Sequence, residues 1–165
     1  YRPMLLGGVF KATGNHSPAQ EPVEAKRAYF GNEMSRWVAH YGIPFRGNPF
    51  FPINTLSLMR QAHAAQRQGV FEAFHAAVFP AFWEREMNLG DADTLASVLD
   101  AAGLDAAALA EAAADPQIKA ALLETTEEAV ERGVFGAPSF FVAGELYFGS
   151  DRLSFVEAAL GQQGQ

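Results

Sequence analysis

Between residues 133 and 152 the chain reads Gly-Val-Phe-Gly-Ala-Pro-Ser-Phe-Phe-Val-Ala-Gly-Glu-Leu-Tyr-Phe-Gly-Ser-Asp-Arg. No other stretch restricts the fold as much. Residues 139–142 and 146–148 are short apolar runs rich in aromatics, and Ala143-Gly144-Glu145 between them reads as a turn. That pattern predicts a β-hairpin. Gly149 follows, Ser150 or Asp151 can cap a helix, and Leu153, Val156 and Leu160 share one face of a helix over 152–160. Pro138 stands at the mouth of the first strand, where it cannot donate to the ladder.

Upstream the pattern is mostly helical. Residues 1–6 are apolar enough to be the end of a strand that runs into Gly7-Gly8, and residues 11–22 read as a loop of Gly, Asn, Ser, Pro and Gln. Helical spacing over 24–40 lets Ala28, Met34, Trp37, Val38 and Tyr41 share a face, with Gly42 as the stop. Residues 43–52 hold three Pro and three Phe, an extended aromatic linker. Asn54 or Thr55 caps a helix to about Gln68, and residues 70–83 carry Phe71, Phe74, Val78 and Phe82 at helical spacing. Asp91, Asp105 and Asp115 each open a further helix, the last with Pro116 at its first position. The order is strand, helical block, hairpin, helix. A Gly-x-Pro turn, a hairpin and one closing helix form the C-terminal half of a thioredoxin-type domain. The expected fold class is therefore α/β (α+β): a thioredoxin-like fold built from residues 1–23 and 134–165, with residues 24–133 as an inserted α-helical domain.

Composition excludes several functions. Twelve Lys+Arg against nineteen Asp+Glu leave a net charge of −7, unsuited to holding phosphate backbones, so no nucleic acid partner is expected. No apolar stretch nears the roughly 18 residues of a membrane span, and no membrane partner is expected. The chain has no Cys, which removes disulfides, thiolate nucleophiles and zinc–thiolate sites together. Any thiol chemistry must use a thiol from outside the chain. His16, His40, His63 and His75 lack metal-ligand spacing, so no metal is expected. Neither a Gly-x-Ser-x-Gly elbow nor a phosphate-binding glycine loop occurs.

Three places remain as candidates. If the Ala137–Pro138 peptide is cis, the backbone N–H and C=O of Ala137 are bared to pair with an extended peptide-like ligand; the alternative is an ordinary trans turn. Gly149-Ser150-Asp151 stands at a helix N-terminus, which suits a carboxylate, while Asp151 suits an ammonium group; the alternative is plain capping. Lys11, Asn15 and His16 lie on the loop after the first strand, where a polar cluster either binds or is merely solvated.

These segments resemble one family. Arg2-Pro3-Met4-Leu5-Leu6-Gly7-Gly8-Val9-Phe10-Lys11-Ala12-Thr13-Gly14-Asn15 is similar to the 2-hydroxychromene-2-carboxylate isomerases and the kappa-class glutathione transferases. Tyr41-Gly42-Ile43-Pro44, Phe51-Pro52-Ile53-Asn54-Thr55 and Leu123-Glu124-Thr125-Thr126-Glu127-Glu128-Ala129 fit the same family, as do the two segments around Pro138 and Asp151. The short hairpin favours the isomerase branch. The resemblance implies a cytoplasmic, homodimeric, glutathione-dependent enzyme acting on a small aromatic molecule, by a cis–trans change of a conjugated pyruvate side chain. It places glutathione against Asn15, Ala137, Pro138, Gly149, Ser150 and Asp151, and the substrate near Lys11 and, more weakly, Asn54. The family's catalytic Ser belongs to a first β-α unit. If residues 1–6 are the second strand, that unit, about 30 residues long, is expected upstream of Tyr1. A kappa-type transferase and a non-catalytic glutathione- or peptide-binding module are the alternatives.

Overall fold

The computed structural model describes residues 1–162. Eight α-helices and one hairpin follow one another: α1 (Leu6–Thr13), α2 (Glu24–Tyr41), α3 (Leu56–Arg67), α4 (Phe71–Trp83), α5 (Ala92–Ala101), α6 (Ala106–Ala112), α7 (Pro116–Glu131), β1 (Ser139–Val142), β2 (Glu145–Phe148) and α8 (Leu153–Gln162). Local chemistry explains many of the boundaries. Asp91, Asp105 and Asp115 each accept a backbone N–H of the first turn they open, from Thr94, Ala108 and Gln117. Gly14, Gly42, Gly69, Gly103 and Gly133 follow helices with positive φ, a conformation that costs glycine nothing.

Helices α3 to α7 make the core. α3 packs against α4, α6 and α7, and α5 against α4 and α6. Leu58, Phe74, Val78, Phe82, Leu95, Leu99, Leu109 and Ile118 are buried together there. The linker at 43–55 is irregular, as its prolines demand, and docks through aromatics: Phe45 and Phe51 lie 5.3 and 5.5 Å from Trp83. Both Phe51–Pro52 and Ala137–Pro138 are cis. β1 and β2 pair antiparallel, Ser139 opposite Phe148 and Val142 opposite Glu145, and α8 packs on β1.

The N-terminus departs from its expectation. Residues 1–5 are irregular, and the residues expected to finish a strand lead into a helix that also absorbs Lys11, expected on a loop. A strand must find a ladder partner for its polar groups. Those of this segment go instead to side chains of the helical block. Gln66 donates to Tyr1 O (2.9 Å), Thr125 donates to Pro3 O (2.8 Å), and Leu5 N donates to Thr126 Oγ1 (3.0 Å). Gly8 is inside α1 because the helix lies close to α7: a Cβ there would meet Thr126 Cγ2 at 3.1 Å.

α2 keeps its expected length but buries no residue, and Met34 is 52% exposed. The apolar face read from its period is therefore covered only in part by the described residues: Trp37 and Val38 are half-buried, while Ala28, Met34 and Tyr41 are exposed. Among them no helix is long and apolar enough to cross a membrane, and no His, Asp and Glu cluster suited to a metal occurs.

Candidate functional site

The end of α1 carries the first part of the site. Lys11 is exposed in its last turn and forms no ion pair among the described residues. Gly14, with φ of 70°, turns the chain out of the helix and presents Asn15. Asn15 spans two distant parts of the sequence: Nδ2 donates to Phe135 O (2.9 Å), 120 residues away, and Oδ1 accepts from His16 N (2.9 Å). The His16 side chain forms no hydrogen bond, ion pair or aromatic contact among the described residues.

Phe135 leads into the cis turn. Ala137 is exposed, and neither its N–H nor its C=O is engaged in a hydrogen bond among the described residues. Ser139 Oγ donates to Gly136 O (2.8 Å), which fixes the bend just before β1. Gly149 N donates to Pro138 O (3.0 Å), so the residue after β2 is tied to the proline that precedes β1. Gly149 has φ 102° and ψ 149°, a region that is essentially closed to other residues. The position of a Cβ there would fall onto the Asp151 carboxylate. Ser150–Arg152 form a 3-10 turn ahead of α8, so the expected helix N-terminus begins as this tighter turn, and neither Ser150 nor Asp151 caps it through a side-chain hydrogen bond among the described residues. Asp151 pairs with its neighbour Arg152.

One chain of contacts thus joins Asn15, the Phe135–Pro138 turn and Gly149, with Ser150 and Asp151 next in sequence. Tyr41 belongs beside them. Its hydroxyl donates to Ser150 O (2.8 Å) from the last residue of α2. In the sequence Tyr41 shares the apolar face of α2 and opens the family-like segment Tyr41-Gly42-Ile43-Pro44; no local signal marks a hydroxyl that meets a partner 109 residues on. Asn54 is not in this set. It lies at the start of α3, where Oδ1 accepts from Leu56 N (3.0 Å), and it lines a cleft with Arg60 and Lys119.

Near the entry of α1, His63 is buried on α3 and hydrogen-bonds Pro3 O through Nε2 (3.0 Å). Burial pushes its pKa below the ordinary value, with the Arg2 charge acting in the same direction and the Pro3 bond opposing both. Arg2 pairs with Glu128 of α7.

The unengaged backbone at this turn suits an extended peptide-like ligand. A free backbone N–H and C=O at Ala137 match a peptide unit of such a ligand, and the Asp151 carboxylate lies two residues beyond the glycine tied to Pro138.

Comparison with known proteins gives a consistent picture. The family model described as DSBA-like thioredoxin domain matches residues 1–161. A 2-hydroxychromene-2-carboxylate isomerase of Sphingobium xenophagum is 31% identical over 97% of this chain and 81% of its own length. Glutathione S-transferase kappa 1 of Homo sapiens is 28% identical over 98% of this chain and 77% of its own. A solved structure of a 2-hydroxychromene-2-carboxylate isomerase superposes with a TM-score of 0.83 at 27% identity, covering 97% of this chain and 78% of that one.

Proposed function

The chain belongs to the DSBA-like thioredoxin family that includes the 2-hydroxychromene-2-carboxylate isomerases and kappa-class glutathione transferases, and we propose that within it this protein is a glutathione-dependent cis–trans isomerase. Its substrate is a small aromatic-degradation intermediate of the 2-hydroxychromene-2-carboxylate type. In this reading residues 24–133 are the helical insertion, and the enzyme works as a cytoplasmic homodimer. The observation that carries the reading is the unengaged backbone of Ala137, held in place by Asn15 on one side and Gly149 on the other.

Glutathione, when bound, supplies a thiol that adds reversibly to the conjugated side chain and leaves after bond rotation, with no net redox change. The chain's own residues hold and orient. Ala137 pairs its N–H and C=O with the cysteinyl backbone, beside Pro138. Asp151, with Ser150 and Gly149, receives the γ-glutamyl end, so that the carboxylate meets its ammonium group. Asn15 positions the Phe135–Pro138 turn, and Lys11, one helical turn earlier, meets the substrate's carboxylate. A chain without Cys is sufficient for this role.

The test is the absorbance change of a hydroxychromene-carboxylate on the full-length protein, with and without glutathione. Isomerisation that requires glutathione supports the reading; isomerisation that ignores it sinks the mechanism. Asp151→Asn should raise the glutathione Kd about three- to tenfold, the loss of one partly exposed charge-assisted contact. Lys11→Gln should raise the substrate KM and leave glutathione binding alone. The kappa transferase among the relatives keeps a second reading in view, and conjugation of glutathione to an electrophile without isomerisation would favour it.

A further inference from the structure

A second site is lined by a different set of residues. A cleft of about 410 Å³ opens between the start of α3, the loop at Gly90 and the α6–α7 turn. Its polar side chains are Asn54, Ser57, Arg60 and Lys119; Leu56 and Ala110 are among its apolar ones. No Asp or Glu lines it. The Nε of Arg60 is buried without a hydrogen-bond partner, and neither Arg60 nor Lys119 forms an ion pair among the described residues. Two turns further along α3, Arg67 shows the contrast: it pairs with Asp115 (3.5 Å).

The neutral groups have the same polarity. Asn54 spends its Oδ1 on Leu56 N, which leaves the Nδ2 amide as the group on offer. Ser57 Oγ accepts from Gln61 Nε2 at 3.4 Å, which leaves its hydroxyl proton to donate. Every polar side chain of the cleft thus has donors to spare. The Nε itself has almost no exposed surface; the outer N–H groups of Arg60, which form no hydrogen bond among the described residues, are the donors a ligand reaches.

We propose that this cleft binds a small organic oxyanion, a carboxylate or phosphate carried on an apolar body. Arg60 supplies a planar fork, Lys119 a mobile point charge, Asn54 and Ser57 neutral donors, and Leu56 and Ala110 a surface for the apolar part. The site goes beyond the isomerase reading and uses no glutathione.

Isothermal titration of the full-length protein without glutathione tests it, with inorganic phosphate, benzoate and neutral benzamide as probes. Saturable binding of phosphate or benzoate, weakened by salt and absent for benzamide, is expected, and the tighter of the two names the anion class. Arg60→Gln should weaken binding about tenfold or more and the exposed Lys119→Gln a few-fold, the difference between a shielded and a screened charge. Arg36→Gln, at an exposed cation of α2 without an ion pair among the described residues, should change nothing. The proposal is overturned if neither anion binds saturably, if benzamide binds as well, or if the loss follows Arg36→Gln instead. Should Arg60→Gln fail to fold, Lys119→Gln decides, and undiminished binding by it overturns the site. Loss of the isomerase assay would leave this titration untouched, so the two readings fail separately.

Discussion

Gly136 offers the sharpest test of the turn that presents Ala137. Its φ is not in the left-handed region, so alanine suits its backbone. The obstacle is a side chain: a Cβ there would lie 2.7 Å from Phe148 Cε2 and 3.1 Å from Cζ. Carbon atoms pack best at about 3.5–4.0 Å, so the ring must retreat by roughly 1 Å. Two responses compete. If the ring holds, overpacking costs about 1–3 kcal/mol. If it swings out, it gives up its contact with Phe135 (centroids 4.6 Å apart), about 0.5–1.5 kcal/mol. Phe148 is already 40% exposed, so the outward path is open and the cheaper response wins. Gly136→Ala should therefore cost about 1 kcal/mol. With Phe148→Ala already in place, the same change should cost nearly nothing. Urea unfolding of the four proteins at constant m closes the cycle, and the double variant should be more stable than the summed single effects by about 1 kcal/mol. Additivity within about 0.5 kcal/mol would refute the contact. Gly133→Ala serves as control: at φ 87° its cost is backbone strain and should persist whether or not Phe148 is present.

Three further outcomes follow. Gly149→Ala should destabilise by about 1–3 kcal/mol from backbone strain alone. It should also abolish glutathione binding in a titration, because its Cβ displaces the Asp151 carboxylate. Stability should fall as pH is lowered through the window beneath 6.5, because the unfolded chain takes up a proton at His63 that the folded chain resists; denaturant midpoints of His63→Gln should show a shallower acid slope. Leu99→Ala, at a fully buried position of α5, should cost about 3–4 kcal/mol and lower Tm by roughly 10 °C in a thermal melt.

What the sequence revealed depended on how far each residue acts along the chain. The caps at Asp91, Asp105 and Asp115 bond within three residues, and the hairpin closes over Ala143-Gly144, so both were legible. Gly7-Gly8 was misread for the same reason. As local text a glycine pair is punctuation, but Gly8 serves a close approach to Thr126, 118 positions later in the sequence. Period marked one face of α2 without saying what covers it, and the described residues leave Met34 in solvent. At the site, Asn15 stood out as a loop polar residue, whereas its acceptor, Phe135 O, and the Tyr41–Ser150 bond are long-range. Asn54 bonds Leu56 N at the start of α3 and lines the cleft with Arg60, a grouping that only the fold reveals.

The same long-range bonds explain how a helical block and a hairpin can share one site. α1 is held at both ends by different parts of the chain. At its entry, Pro3 O takes bonds from His63 and Thr125, and Leu5 N bonds Thr126, so the start of the helix is registered to α3 and α7. At its exit, Asn15 bonds Phe135 O, so the end is registered to the turn that leads to β1. The eight residues between span about 12 Å of rigid helix. Lys11 projects from that rod, and its distance to the Ala137 backbone is set by the two anchors rather than by either alone. Slippage of α1 by one turn, about 5.4 Å, would break both sets of bonds at once. A lone contact worth about 1 kcal/mol could not hold such a register, but polar anchors at both ends and the Gly8–Thr126 approach between them act on a single rigid element. The helical block therefore contributes position to the candidate site, beyond any surface it lends to a substrate.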